Sequence, residues 1–275
     1  MKILLTGSEG QLGCALRESL PQVLQNSSVE LIATSRGGGD GLVALDLANS
    51  DACRAAVFES KPDWIINAGA YTAVDRAETE PDLAHAVNAL APRAFAEALA
   101  QTGGRLLQLS TDFVFNGRQG HPYEPAQPCD PLGVYGTTKA AGEQAIAEVL
   151  EFEQEGRATL LRTSWVYGAV RANFLLTMLR LNNQKAQAAE LFRVVANQVG
   201  CPSSSNGLAI VELAEASGHL ERAAPVLPIV TAAYPTPAPR PAFLLFNCTA
   251  RRELLGLRSM HWGHALREVI ADVGS

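Results

Sequence analysis

The sequence predicts an α/β protein built on a doubly wound parallel sheet. Three observations carry that expectation. The chain opens with an apolar run, Ile3-Leu4-Leu5, that breaks into glycines at Gly7, Gly10 and Gly13 before helical periodicity sets in at Cys14. Short strand-like runs then alternate with longer helical ones as far as residue 162. Such βαβ repetition implies parallel strands with a ligand at their carboxyl ends. Finally, 275 residues with 47% hydrophobic content are enough for one large domain with a smaller appendage.

The first stretch reads as strand, glycine turn, helix. Glycine meets three needs at such a junction: a tight turn, close backbone approach to a pyrophosphate, and close packing of helix on strand. The unpaired N–H groups of the helix start then face the phosphates. The spacing is G-x-x-G-x-x-G rather than the commoner G-x-G-x-x-G, and by itself the motif could be a glycine turn that binds nothing.

Residues 29–34 read as the second strand, ending at Ser35-Arg36 and a glycine run. In dinucleotide-binding folds an acidic residue near this point holds the adenosine ribose, whereas an arginine accommodates a 2′-phosphate. Ser35 and Arg36 therefore favour NADPH, with NADH as the alternative cofactor. A third strand over residues 42–45 delivers Asp46 and Leu47. Asp46 suits the adenine amino group or a helix cap, and Ser50 or Asp51 can cap the helix that follows through Glu59. The fourth strand, residues 64–66, runs into Asn67-Ala68-Gly69-Ala70-Tyr71-Thr72, whose small residues permit close approach of a cofactor. Asp75 and Glu78 read as capping or solvated charges.

A long alanine-rich helix is expected over residues 81–102, and a fifth strand over 105–109, with Leu109 at its cofactor-facing end and Ser110-Thr111-Asp112 beyond. The next helix spans Thr137 to about Glu151 and leads to a sixth strand, residues 158–162. The loops 116–132 and 199–206 are rich in Pro and Gly and are expected to line the mouth of the site.

The net charge of −6 and the absence of basic runs exclude a polyanion as the main partner. No apolar run is long enough to span a bilayer and none reads as a signal peptide, so the protein is expected in the cytoplasm, with no membrane partner. The five cysteines show no C-x-x-C spacing and read as reduced thiols. His261-Trp-Gly-His264 lacks a further ligand nearby, so no catalytic metal is expected.

The chemistry centres on Tyr135-Gly-Thr-Thr-Lys139, with Thr111 at the end of strand five. Tyr and Lys four apart occupy one helix face. A tyrosine of ordinary pKa near 10 is a poor proton shuttle at neutral pH, and an adjacent ammonium is expected to favour phenolate and bring it into working range. Lys139 can also hold the nicotinamide ribose, while the Thr111 hydroxyl can bind the oxygen on which charge develops. Y-x-x-x-K alone is common by chance. Its order after the glycine turn, the Asn-Ala-Gly-Ala turn and the Ser-Thr-Asp strand end makes it resemble the Ser/Thr-Tyr-Lys site of the short-chain dehydrogenase/reductases, in a Rossmann-type domain.

The resemblance sharpens along nearly the whole chain. NAGAYTAVDRAE (67–78), STDFVFNG (110–117), VYGTTKAAGE (134–143), RTSWVYG (162–168), NFLLTML (173–179) and YPTPAPRP (234–241) are similar to the dTDP-4-dehydrorhamnose reductase family. The resemblance implies NADPH-dependent reduction of the C4 ketone of dTDP-4-dehydro-6-deoxy-L-mannose. It makes Thr111, Tyr135 and Lys139 catalytic, and matches Gly10, Gln11, Leu12, Asp46, Leu47, Ala70, Tyr71 and Thr72 to cofactor contacts. It matches Thr111, Asp112, Phe113, Trp165 and Asn173 to contacts with the dTDP-sugar, although Trp165 could equally be core. It also implies a Rossmann domain over residues 1–168 and a small substrate part over 169–275, from which one element can return to the main domain. The protein would act as a monomer or homodimer.

Two departures stand out. Where the family has Asp-Gln-x-Gly-x-Pro-Thr, this chain has Asn197-Gln-Val-Gly-Cys-Pro-Ser203, which removes a charge. Beyond Ser203 the family continues with a helix, a Tyr-His strand, a glycine turn and a Trp-Tyr helix, whereas here one segment, residues 207–224, precedes YPTPAPRP. The substrate part is thus expected to be shortened. Two other readings accompany this one: another sugar-nucleotide ketoreductase or epimerase, and a non-catalytic NADP-binding subunit resembling the regulatory subunit of methionine adenosyltransferase.

Overall fold

The computed structural model describes residues 1–24, 28–150, 156–201, 206–257 and 261–273. Two compact units emerge. The first comprises Met1–Phe115, Cys129–Thr163 and Pro237–Pro239, and the second Asn116–Pro128, Ser164–Thr236 and Arg240–Ser275.

The first unit is built on six strands: β1 (Lys2–Thr6), β2 (Glu30–Ser35), β3 (Val43–Ala44), β4 (Trp64–Asn67), β5 (Arg105–Thr111) and β6 (Ala158–Thr163). They lie in the order β3-β2-β1-β4-β5-β6 and every pairing is parallel. The doubly wound sheet expected from the alternation is therefore present, and its order reverses direction between β1 and β4, where such sheets hold their ligands. Side chains alternate across the sheet as strand geometry requires. Leu4, Ile65 and Leu106 pack with Val57, Phe95, Leu99 and Ile146 on one face, while Ile3, Leu5 and Ile66 pack with Leu16 and Leu20 on the other.

Helices α1 (Gln11–Val23), α2 (Ser50–Ser60), α3 (Val74–Ala77), α4 (Pro81–His85), α5 (Ala91–Thr102) and α6 (Val134–Val149) fill the crossovers. The long helix expected over 81–102 is interrupted by a π turn, Ala86–Leu90, which sets α5 off from α4. Asn49 caps α2, accepting the Ala52 N–H at 3.0 Å, so neither Ser50 nor Asp51 has that role. Helix α6 begins at Val134 rather than Thr137, and its expected end at Glu151 lies outside the described residues.

The second unit has its own core, in which Leu175, Leu179, Phe192, Leu266 and Ile270 are buried together. It contains helices Phe174–Gln187, Asn206–Ala216, Thr249–Leu255 and Trp262–Ala271, and two parallel strand pairs, Phe192–Val195 with Val226–Ile229 and Val199–Gly200 with Phe243–Leu244. Ser203, one of the two departures from the expected motif, lies outside the described residues.

Candidate active site

The glycine turn forms because two backbones meet there. Gly7 has φ +65°, and a Cβ on it would stand 2.6 Å from the Gly69 backbone. A Cβ on Gly13 would lie 2.1 Å from the Gly7 carbonyl oxygen. Glycine is thus required at Gly7 by the approach of the turn after β4, and at Gly13 by the approach of α1. The Gly10 N–H donates to the Gly7 carbonyl at 2.9 Å. Helix α1 then starts at Gln11 and Leu12 with no side-chain cap. Among the described residues its first turn has no acidic side chain, and the buried Gln11 Oε1 has no hydrogen-bond partner. A cradle that a Cβ would fill and an uncapped helix start together fit the pyrophosphate of a dinucleotide.

At the neighbouring strand ends, Ser35 is buried and its Oγ accepts the Gly38 N–H at 3.1 Å. Arg36 extends into solvent, with Nε 4.0 Å from Asp46 Oδ1. Asp46 also accepts the Ala48 N–H at 3.0 Å, and the α2 cap belongs to Asn49, which leaves Asp46 at the sheet edge beside Arg36. Leu47 closes over Gly69, where its Cδ1 would be 2.5 Å from an added Cβ.

The 68–72 turn is held by a residue that sequence reasoning missed. Asn88, buried in the π turn, accepts the Tyr71 N–H at 2.9 Å and donates to the Tyr71 carbonyl at 3.1 Å. It also donates to Thr138 Oγ1 at 3.2 Å, one residue before Lys139. Gly142 lets α6 come this near, since a Cβ there would sit 2.2 Å from the Asn88 carbonyl oxygen. The available signal was an amide inside an alanine-rich helix, where such a side chain is otherwise costly to bury. The Tyr71 phenol donates to Glu80 at 2.5 Å, and that bond holds the Glu80 carboxyl below its ordinary range.

Glu78 caps α6 across the chain, accepting the Val134 N–H at 2.9 Å. This places Tyr135 in the first turn and Lys139 one turn on, along the same face. Gly136 admits the short turn after β5, for a Cβ there would meet the Phe113 carbonyl oxygen at 2.2 Å. The Phe113 ring stands edge-on to Tyr135 with centroids 5.7 Å apart. Thr111, almost fully buried, donates to Asp112 Oδ1 at 2.9 Å, accepts the Phe113 N–H at 3.2 Å, and lies within hydrogen-bonding reach of the Tyr135 phenol. Ser110 Oγ, one residue earlier, is buried with no hydrogen-bond partner among the described residues.

Lys139 is 4% exposed and donates from Nζ to the Leu109 carbonyl at 2.7 Å. Burial pulls its pKa down to about 8, against the opposing pull of Glu143 one turn further on. Glu143 is itself buried and paired with Arg162 at 2.7 Å, and the Arg162 guanidinium covers the Phe115 ring at 5.0 Å. Burial pushes Tyr135 up to about 12, aided by the Asp112 carboxylate and opposed by Thr111. The sequence expectation that Lys139 brings the phenol down is therefore not met in the chain alone. Burial of the phenol sets the direction, and Thr111 is the group that opposes it.

The model of the RmlD substrate binding domain matches residues 1–222. A dTDP-4-dehydrorhamnose reductase of Sinorhizobium fredii is 32% identical, with 98% of this chain and 97% of that protein covered. The chain belongs to the dTDP-4-dehydrorhamnose reductase family. The reductase of Streptomyces griseus is 42% identical over 75% of this chain and 62% of its own length. A crystal structure of the Bacillus anthracis reductase in complex with NADP matches with a TM-score of 0.81 and 27% identity, covering 98% of this chain and 99% of that one.

In this member of the reductase family the second unit uses several of the expected residues structurally. Asn173 caps the helix Phe174–Gln187, accepting the Leu176 N–H at 3.0 Å, and its amide nitrogen donates to the Gly168 carbonyl at 2.8 Å. Trp165 adopts φ +51° and stands edge-on to Phe174 at 4.9 Å. With Tyr167 and Trp262 these two rings line an apolar cavity. Asn197, where the family has aspartate, accepts both the Thr231 N–H at 2.8 Å and its hydroxyl at 2.7 Å. His261 caps its helix through Nδ1, 3.2 Å from the Gly263 nitrogen, and His264 lies beside Glu268 at 3.7 Å, so the two histidines do different work.

Proposed function

We propose that this chain reduces the C4 ketone of dTDP-4-dehydro-6-deoxy-L-mannose with NADPH to give dTDP-L-rhamnose. The observation that carries the reading is the meeting of Thr111, Tyr135 and Lys139 at the carboxyl edge of a sheet whose glycine turn is uncapped. NADPH, when bound, supplies the hydride. Gly7, Gly10 and Gly13 with the start of α1 would hold its pyrophosphate, Arg36 its 2′-phosphate, and Asp46 and Leu47 its adenine side. NADH is the poorer alternative on this reading.

The reduction needs a proton for the oxygen that becomes the alcohol. Tyr135, with its pKa pushed up to about 12, is protonated throughout the neutral range and is therefore ready to donate. Thr111 orients the ketone oxygen through its hydroxyl. Lys139 keeps a positive charge in the site where the phenolate is left after donation, and so offsets part of its desolvation. Asp112, Phe113, Trp165 and Asn173 are assigned to the sugar nucleotide by family resemblance, with residues 169–275 as the main substrate-binding part and a monomer or homodimer as the working form. Among the described residues no helix is long and apolar enough to cross a membrane.

The test follows NADPH oxidation with dTDP-4-keto-6-deoxyhexose against the UDP- and GDP-linked analogues. Turnover with the dTDP compound and at least tenfold discrimination against the others is expected. Binding of NADPH without turnover on any of them would overturn the reading.

A further inference from the structure

Strands β1, β4 and β5 place Thr6 opposite Asn67, and Asn67 opposite Gln108. All three are buried, on the sheet face that otherwise carries Leu4, Ile65 and Leu106. A polar row across the middle of a parallel sheet is unexpected, because strands covered on both faces are ordinarily apolar and an unpaired amide there is costly. Here no member is unpaired. Thr6 accepts the Gly69 N–H at 3.2 Å and donates to Asn67 Oδ1 at 2.5 Å. Asn67 Nδ2 donates to Gln108 Oε1 at 2.7 Å, and Gln108 Nε2 donates to the Leu109 carbonyl at 2.7 Å. That carbonyl is also the acceptor of the Lys139 ammonium at 2.7 Å. The donors all point one way, from the turn at Gly69 toward Leu109, an arrangement in which each bond polarises the next.

We propose that Gln108 is a positioning residue for Lys139, fixing the Leu109 carbonyl that holds the ammonium, and that the Thr6–Asn67–Gln108 row ties this carbonyl to the cofactor-facing turn at Gly69. Apolar residues at the three positions would fill the same core with less desolvation, so the row has a use beyond packing. β4 ends at Asn67, opposite Gln108, and has no residue left to pair with Leu109. On its other side Leu109 pairs with Leu161 of β6, and its carbonyl, which takes the Lys139 ammonium, gains a second donor in the Gln108 amide. The charge that acts on the ammonium is Glu143 of its own helix, which is paired with Arg162 of β6; Tyr135 lies one turn earlier on that helix, and Asp112 beyond β5 acts on Tyr135. None of these touches Gln108 in the row, so its effect can be separated from theirs.

The inference rests on Lys139 acting in the proposed reduction, and the experiment distinguishes the two. Gln108→Leu is compared with Leu106→Val, a core substitution on the same strand adjusted to equal loss of thermal stability. In the cofactor-free protein, Lys139 is titrated by 13C NMR of lysine methylene groups, its signal assigned by its absence in Lys139→Met. Gln108→Leu is expected to lower the Lys139 pKa by at least about half a unit and to weaken NADPH binding severalfold, since a mispositioned acceptor stabilises the ammonium less. Leu106→Val should move neither. If the wild type turns over, kcat should also fall about tenfold in Gln108→Leu, with KM for the sugar nucleotide little changed. A Lys139 titration and NADPH affinity that follow the Leu106→Val control would overturn the proposal, whatever the turnover. Thr6→Val, which cuts the row at its far end, gives a second reading where Gln108→Leu does not fold: NADPH binding must weaken and the Lys139 pKa move in the same direction, or the row does not act as one.

Discussion

Replacing Lys139 by methionine should make the cofactor-free protein more stable near neutral pH while it destroys turnover. The ammonium is 4% exposed and its pKa is drawn down from 10.5 to about 8, so the folded state pays for keeping it charged. At pH 7 that cost is about 3 kcal/mol, from about 1.4 kcal/mol per pKa unit, and the lost bond to Leu109 gives part of it back on substitution. The sign with pH is definite. Between the folded and unfolded pKa values the unfolded chain binds more protons, so wild-type stability rises with pH in this window while the variant lacks the term. The advantage of Lys139→Met should therefore shrink by about 1 kcal/mol from pH 7 to pH 9, which corresponds to roughly 2–4 °C in melting temperature for a chain of this size. Tyr135 titrates above this window in both proteins and cancels in the comparison. Parallel thermal melts of the two proteins at pH 7, 8 and 9 measure the gap. A gap that stays constant or widens with pH would mean that the lysine is not held against its charge.

Three other outcomes follow from the same geometry. Tyr135→Phe should lower kcat by about 10²–10⁴-fold with NADPH affinity within twofold, because only the proton-donating hydroxyl is lost; stopped-flow turnover and calorimetric titration separate the two. Arg36→Ala should weaken NADPH at least tenfold more than NADH, since its exposed guanidinium is free to clamp a 2′-phosphate, and equal losses would reduce Arg36 to a loop charge. Gly13→Ala should abolish binding of both cofactors, because the new methyl would stand 2.1 Å from the Gly7 carbonyl oxygen and must open the turn; unchanged affinity would place the dinucleotide elsewhere.

Much of this was legible in the sequence because it is local. Three glycines after an apolar run specify a strand, a turn and a helix without reference to the rest of the chain, and Tyr135 and Lys139 share a face by helical spacing alone. What escaped depends on register and packing. Glu78 reads as a capping or solvated charge, but that the helix it caps is α6, 56 residues away, depends on the packing. Asn88 reads as a poor helix residue until the π turn aims its amide at both backbone groups of Tyr71. Thr6, Asn67 and Gln108 are each one polar residue at the end of an apolar run, and only strand pairing puts them in one row. The Tyr135 pKa was misjudged for the same reason: the neighbouring charge could be read from spacing, whereas the depth of burial could not.

Several polar features of the first unit share a physical character that bears on how the site is held. The Asn88 clamp, Glu143 with its half-buried partner Arg162, the amide row and the Lys139 ammonium all bury polar or charged groups in the first unit. Burying such groups costs more than filling the space with aliphatic side chains, even when each finds a partner. The cost is tolerable only while every partner is in place, so loosening one group leaves another buried and unpaired. That dependence keeps Lys139 at a fixed distance from its acceptor although its side chain has four rotatable bonds. Stability in this half of the sheet is therefore exchanged for position, and substitutions that make the core more apolar here should stabilise the fold and impair the chemistry together.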